Sequence, residues 1–361
     1  MTTGLSDPPI ARGAPPRPLI EGPSAWVGAE LATRSAEWTY SLSAPELAEI
    51  ERAAARVRAS GLDLGAITRA EFPLPGLGPT LDALRREVLD GRGFVLIRGL
   101  PVEGRALVDI AAAYLGIGSY FGHVRSQNAM GHILGHVRDL GLSAEKDPTV
   151  RIYQTNERQT FHTDSCDIVG LLCLKTARSG GLSSLVSSMT IYNVMATERP
   201  DLVRHLFKPF ATDRRGEVPE GKRPWFDIPV FNDHAGFLSV IYARRYITSA
   251  QRFPEARRLS AEDTEALDYF DSLANDTRLR LDMAFRPGDI QFVHNHTVLH
   301  DRTAYVDWPE PALRRHLLRL WLAAPGARPL PPVYAERYGS VTIGDRGGII
   351  CPGTRLHVPL E

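Results

Sequence analysis

Apolar residues recur at helical spacing in the first third of the chain. Ser43-Ala44-Pro45-Glu46 reads as a helix start, with Ser43 as the cap, Pro45 in the first turn and Glu46 completing a capping box. Leu47, Ile50, Ala54 and Val57 then share a face until Gly61 closes the segment. A second helix is predicted over 80–91, carried by Leu81, Leu84 and Val88. The run Gly93-Phe94-Val95-Leu96-Ile97-Arg98-Gly99 is apolar between glycines, the pattern of a short buried strand. A third helix is predicted over 106–115.

From about Val150 the period shortens. β-prone segments at 170–174, 184–188, 237–242, 290–294 and 317–323 alternate with turn signals, and one helical stretch, about 261–274, interrupts them. Many short strands with Gly and Pro between them predict a sandwich or jelly roll. Nothing repeats along the chain, and no linker divides the two textures. The expectation is therefore an α+β fold in one domain over 23–361. Its β-core lies mainly at about 93–323, with helices packed outside it. Residues 1–22, rich in Pro and Gly, read as a flexible start, and 324–361 as ordered coil wrapping the core.

Composition narrows the function classes. Of 361 residues, 43% are hydrophobic and 23% charged, so the chain is globular. Lys+Arg and Asp+Glu both count 42, which leaves no basic field for nucleic acid or an anionic membrane. No stretch approaches the roughly 20 apolar residues of a membrane span, and the N-terminus lacks a signal peptide's apolar core. Cys166, Cys173 and Cys351 are odd in number and irregularly spaced, and read as buried reduced thiols in a cytoplasmic protein. Any partner is then a small molecule held in a local site, or a second copy of the chain.

The sharpest local feature is Phe161-His162-Thr163-Asp164. On a strand, residues two apart share a face, so His162 and Asp164 present an imidazole and a carboxylate together. Alone, a His-x-Asp tripeptide is common. What strengthens it lies downstream, where the turn Pro287-Gly288-Asp289 leads into an apolar strand and then His294-Asn295-His296-Thr297-Val298-Leu299-His300-Asp301-Arg302. A third ligand from among these histidines gives a 2-His-1-carboxylate set, which leaves metal positions open as in non-haem Fe(II) oxygenases. Next comes Arg314-Arg315-His316-Leu317-Leu318-Arg319-Leu320-Trp321, where Arg315 and Arg319 stand four apart among apolar residues. An arginine facing a cavity needs an anion, and a dicarboxylate cosubstrate supplies one.

His-Thr-Asp, Leu-His-Asp-Arg-Thr and Arg-Arg-His-Leu-Leu-Arg-Leu-Trp, in that order, resemble the taurine dioxygenase and clavaminate synthase-like family. So do the glycine-bounded strand at 93–99, the Gly180-Gly181 turn with Ser183 after it, and Pro287-Gly288-Asp289. The resemblance covers nearly all of the chain after residue 23. It implies a double-stranded β-helix, a distorted jelly roll, with His162, Asp164 and His300 holding Fe(II). It also implies 2-oxoglutarate and O2 as cosubstrates, with Arg315, Arg319 and Ser183 on the 2-oxoglutarate; Ser183 stands where the family often has Thr. His300 is preferred to His294 and His296 because Asp-Arg-Thr follows it. The other two are then assigned hydrogen bonds behind the metal ligands. The retained Asp164 favours hydroxylation, or desaturation or cyclisation, over halogenation. Gln127, Asn128, Arg151, Tyr153 and Asn295 flank the pocket elements as candidate substrate contacts, while Arg244 and Arg245 read as salt-bridged or solvated. Family substrates are small polar acids, amino acids or sulfonates. A zinc hydrolase on the same ligands, or a binding protein without activity, would have no use for the paired arginines.

Overall fold

The computed structural model describes residues 15–143 and 150–361. The predicted first helix spans Ala44–Ser60, with both halves of the Ser43/Glu46 capping box formed and Gly61 left-handed at φ 67°. Helices Gly78–Asp90 and Leu107–Gly118 follow, on either side of the strand Phe94–Arg98.

Two sheets form the core. The larger runs in the order Thr39–Ser41, Phe94–Arg98, Ile290–His294, Ile168–Lys175, His316–Ala323 and His123–Val124, with Gly135–Val137 also paired to His316–Ala323. The smaller runs Arg280–Met283, Ser183–Ser187, Val298–Arg302 and Gln159–His162, antiparallel throughout. The strand at 290–294 coincides with its prediction, and the helix Ala261–Ala274 does too.

The alternation along each strand shows what each face meets. Val95 and Ile97 join Leu318, Leu320 and Leu322 in the cluster under the three N-terminal helices. Phe94, Leu96, Val169, Val293 and Trp321 point the other way and meet Leu185, Leu281 and Val298 of the smaller sheet. With both faces covered, these strands read as unbroken apolar runs. On the outer side of the smaller sheet, Val186 and Leu299 pack with Met189, Met195, Leu267 and Phe270 of the helices Ser188–Glu198 and Ala261–Ala274. The interior between the sheets is apolar at this end and polar at the other, where the site lies.

One turn sets the register of the central strand. Gly288 has φ +87°, and a Cβ there would stand 2.1 Å from the carbonyl oxygen of Leu100. The next residue, Asp289, takes two hydrogen bonds from Arg98, at 2.9 and 3.0 Å. The N-terminal stretch from residue 15 is hydrogen-bonded coil: Ile20 exchanges two bonds with the Asn193 amide, and Arg17 two with the Tyr192 hydroxyl. Residues 1–14 of the expected flexible segment lie outside the described residues. At the other end, the fully buried Asp167 carboxylate accepts from His296 Nε2, Arg346 Nε and the Ala324 amide, which pins the segment 324–346 to the core; the expected coil is broken there by the short helix Ala335–Tyr338. Cys166 and Cys173 are buried free thiols; Cys351 is free but only half-buried. Among the described residues no helix is long and apolar enough to cross a membrane.

Candidate metal centre

His162 and His300 are direct cross-strand partners in the smaller sheet, so their side chains project from one face. Their ring centroids are 4.2 Å apart. Asp164 departs from the expectation of a shared strand. The strand ends at His162, and Asp164 lies two residues beyond it in coil. The Thr163 amide donates to the Tyr242 carbonyl at 2.8 Å, and the Asp164 amide to Asn295 Oδ1 at 2.9 Å. Those two bonds, rather than strand pleating, bring the carboxylate round. One oxygen then stands 3.7 Å from His162 Nε2 and the other 3.7 Å from His300 Nε2. Candidate donor atoms of all three residues lie within 4.8 Å of one another.

The protonation states suit a divalent cation. His162 Nδ1 lies 2.9 Å from the Thr160 carbonyl, which can only accept, so Nδ1 carries the proton and the Nε2 lone pair accepts from the Gln159 amide nitrogen at 2.8 Å. Burial, reinforced by the neighbouring His162, pushes the His300 pKa down to about 3 against the pull of Asp164. Its imidazole is therefore neutral at pH 7. Burial alone would raise the Asp164 pKa, but Arg319, the two histidines and the Trp321 indole N–H together hold it below the usual carboxylate value. Trp321 Nε1 donates to Asp164 Oδ2 at 2.8 Å, and Arg319 Nη1 approaches the same oxygen at 3.5 Å. Two imidazoles and one carboxylate are a donor set that fits Fe(II).

Behind the triad a cavity is lined by His162, His300, Ser183, Arg302, Arg315 and Arg319. Ser183 is the direct partner of Arg302, and Arg302 lies two residues from His300 on the same strand face. Arg315 is 4% exposed and Arg302 6%. Arg315 Nη1 and Arg302 Nε and Nη1 are buried without a hydrogen-bond partner among the described residues. Burial, then the adjacent Arg315, pushes the Arg302 pKa down to about 10, and burial lowers that of Arg315 too. The Tyr305 ring lies 4.8 Å from one guanidinium and 5.1 Å from the other. The Gly180-Gly181 turn fits closely here, for a Cβ on Gly181 would meet Arg315 Nε at 3.0 Å. Ser183 donates to Gln291 Oε1 at 3.1 Å. Arg302 carries a sequence signal of its own, its i+2 spacing from His300.

A second cavity opens on the other side of the triad. Gln127, Arg151 and Tyr153 line it with His162 and Asp164. Gln127 also holds Arg319, accepting from its Nε at 2.7 Å and donating to its carbonyl at 2.7 Å. Asn128 and Asn295 do not line it and are corrected. Asn128 accepts from the His132 amide within a turn, and the fully buried Asn295 braces the Asp164 backbone. His294 and His296 stand outside the triad, bonded to Thr297 and Asp167. Arg244 and Arg245 both reach the cavity lining. Arg244 is salt-bridged to Asp268 and Asp271, and Arg245 lies 3.9 Å from Glu157.

A jelly roll presenting two imidazoles and a carboxylate beside an arginine-lined cavity is the architecture of a mononuclear non-haem iron oxygenase. Residues 56–321 match the family described as taurine catabolism dioxygenase TauD, TfdA family. The chain is 33% identical over 318 residues to the FR-33289 synthase of Streptomyces rubellomurinus, covering 86% of this chain and 92% of that protein. It is 32% identical over 305 residues to the taurine hydroxylase-like protein SAT17 of Stachybotrys chartarum, covering 82% and 77%. Among solved structures, an asparagine oxygenase with Fe(II), 3-hydroxyasparagine and succinate superposes with a TM-score of 0.60 at 16% identity, covering 79% of this chain and 93% of that one. The chain belongs to the TauD, TfdA family. It is a 2-oxoglutarate-dependent non-haem iron dioxygenase with Fe(II) as its metal.

Proposed function

We propose that His162, Asp164 and His300 hold the iron, and that Ser183, Arg315 and Arg319 serve the 2-oxoglutarate, joined by Arg302. The reaction on this reading is hydroxylation of an unactivated C–H of a small polar acid, with release of succinate and CO2. The observation that carries it is the convergence of the His162/His300 cross-strand pair on Asp164, beside a cavity where buried N–H groups of Arg302 and Arg315 lack partners among the described residues. The residues from 23 to 361 act on this reading as one domain. The enzyme works in the cytoplasm on a small molecule, a placement supported by the even charge balance and the free thiols.

Each group has a task that follows from its surroundings. Asp164 stays ionised because Trp321 and Arg319 donate to it, and Asn295 fixes its backbone. His300 stays neutral through burial, so its ring nitrogen is a lone-pair donor at physiological pH. Arg315 and Arg302 offer N–H groups to a distal carboxylate at the deep end of the cavity. Arg319, stacked 4.7 Å from the Tyr153 ring centroid and 5.0 Å from that of Trp321, is steered toward the metal end. When bound, the metal and its cosubstrate supply the oxidising power, while the protein orients the substrate and excludes side reactions. Taurine and asparagine, which appear in the names of two of the similar proteins, are both small polar acids.

The test is spectroscopic first. Anaerobic Fe(II) and 2-oxoglutarate should give a weak visible charge-transfer band, and succinate should appear once O2 is admitted. Asp164→Ala should lose both while keeping its melting temperature. A variant that still turns over would show that the metal lies elsewhere.

A further inference from the structure

The cavity on the substrate side is unusually rich in cations. Arg151, Arg215, Arg244, Arg245, Arg319 and Arg337 all line it, together with Asp164 of the triad. Four of the six have an acidic neighbour: Arg151 has Glu217, Arg244 has Asp268 and Asp271, Arg245 has Glu157, and Arg319 has Asp164. Arg215 and Arg337 form no ion pair among the described residues. Arg337 Nε donates to the hydroxyl of Ser165, the residue after Asp164, at 2.7 Å. Arg215 Nη1 reaches Ser249 Oγ at 3.3 Å, and its Nε is buried with no partner.

The backbone also commits Arg215 to this position. It has φ +56°, a left-handed conformation uncommon for a side chain of this size, and its amide is tied to Asp213 Oδ1 at 2.8 Å. The Tyr246 ring then stands 5.7 Å from the Arg215 guanidinium and 5.5 Å from that of Arg151, and Arg151 donates to the Tyr246 hydroxyl. Two cations thus flank one ring, with Arg337 on the same cavity lining. Burial lowers the pKa of Arg215, offset in part by Tyr246 and Asp213 and reinforced by Arg151 and Arg245; burial and Arg151 lower that of Arg337 against Tyr246, Tyr338 and Asp164. A half-buried cluster of this kind is costly unless an anion joins it.

We propose that this wall is the seat of a doubly charged phosphoryl group on the primary substrate, a phosphomonoester or a phosphonate, held by Arg215 and Arg337 with Arg151 beside them. The proposal rests on the triad cavity being the active site. Two guanidiniums without an ion pair favour a ligand group with two negative charges, which a single carboxylate or sulfonate group does not carry. A phosphoryl group also has three acceptor oxygens, enough for donors arriving from separate elements. Val150, Ile152 and Trp321 on the same lining suit the carbon skeleton that leads from that group to the triad.

Calorimetric titration of the full-length, metal-free protein tests this without relying on turnover. Ethyl phosphate should bind at least tenfold more tightly than ethanesulfonate, and Arg215→Gln and Arg337→Gln should each erase most of that margin. Both variants should retain the anaerobic Fe(II)/2-oxoglutarate band, which shows that they are folded and that the oxygenase site is intact. Equal binding of the two probes, or variants that keep the margin, would overturn the proposal. With the holoenzyme, a panel of small phosphomonoesters and phosphonates should include compounds that raise succinate release above the substrate-free rate. Stimulation by carboxylates and sulfonates alone would overturn it as well, whereas loss of the band in the wild type would sink the oxygenase site instead.

Discussion

Arg315→Met separates cosubstrate binding from folding, because the two should move in opposite directions. Arg315 is almost wholly buried just before the strand His316–Ala323, with Nη1 unpartnered among the described residues and the Tyr305 ring, 5.1 Å away, the nearest group to offset its charge, helped by Cys173 and Asp307. A cation–π contact of this kind contributes about 0.5–2 kcal/mol, less than several kcal/mol of desolvation. Methionine keeps the apolar stem against Leu317 and Phe285 and removes the uncompensated charge. The ligand-free protein should therefore gain about 1 kcal/mol, or roughly 2 °C in melting temperature for a chain of this size.

Binding should go the other way. A bidentate guanidinium–carboxylate contact comprises two charge-assisted hydrogen bonds, each contributing about 1.5–3 kcal/mol. Arg302 and Ser183 remain to carry part of the load, so a net loss of about 3 kcal/mol is expected, roughly 150-fold in 2-oxoglutarate affinity. Anaerobic titration of the charge-transfer band gives the iron and 2-oxoglutarate constants separately. The iron constant should change less than threefold. A variant whose iron and 2-oxoglutarate constants weaken by the same factor, or whose 2-oxoglutarate constant is unmoved, would refute the anion-clamp assignment.

Other perturbations probe the supporting structure. Asn295→Ala removes the acceptor of the Asp164 amide, and should weaken Fe(II) binding about 10-fold or more while leaving 2-oxoglutarate affinity, measured at saturating metal, nearly unchanged; equal loss of both would indicate general unfolding instead. Gly288→Ala forces a Cβ against the Leu100 carbonyl in a left-handed turn, and should cost about 2 kcal/mol or more in a urea melt, with no loss if the turn can shift freely. Burial pushes the His316 pKa down to about 3, next to His136, so its folded form stays neutral where an unfolded histidine would take up a proton. Stability should accordingly fall as pH drops from about 6.5 toward 3, by at most about 1.4 kcal/mol per pH unit from this residue, and His316→Gln should flatten that part of the urea-midpoint profile.

Local signals in the sequence were enough to place most elements. The Ser43/Glu46 box and Gly61 mark a helix whose ends the structure reproduces, and the turn at Gly288 marks where the central strand begins. The helix Ser188–Glu198 leaves no clean 3.6-residue stripe because its residues are buried on several sides, and Arg244–Ala250 is only seven residues long with just Ile247 and Ala250 buried. The strand predicted at 184–188 ends one residue early for a related reason: Ser187 caps the following helix by accepting from the Thr190 amide.

The candidate site divides along the same line. His162, Asp164 and His300 were legible as chemistry, but the geometry that joins them was not. It depends on the pairing of strands 138 residues apart, 300 minus 162, and on a coil that turns Asp164 inward through Tyr242 and Asn295. Asn295 illustrates the difficulty, since its polar side chain next to the histidines read as a substrate contact, whereas it holds the backbone of a ligand. Arg215 and Arg337 lay beyond any spacing rule, being brought to the cavity by a left-handed backbone position and by the short helix Ala335–Tyr338 of the C-terminal segment respectively. That segment is secured by Asp167, three residues from Asp164, through Arg346 and the Ala324 amide. The Ser165 hydroxyl, one residue from Asp164, receives Arg337 Nε. The segment 164–167 therefore supplies the carboxylate of the metal centre, orients an arginine of the substrate wall and anchors the chain that delivers it. A substitution at Asp167 should disturb substrate affinity through Arg337 before it disturbs the metal, because the metal side of the segment has its own support from Asn295 and Trp321.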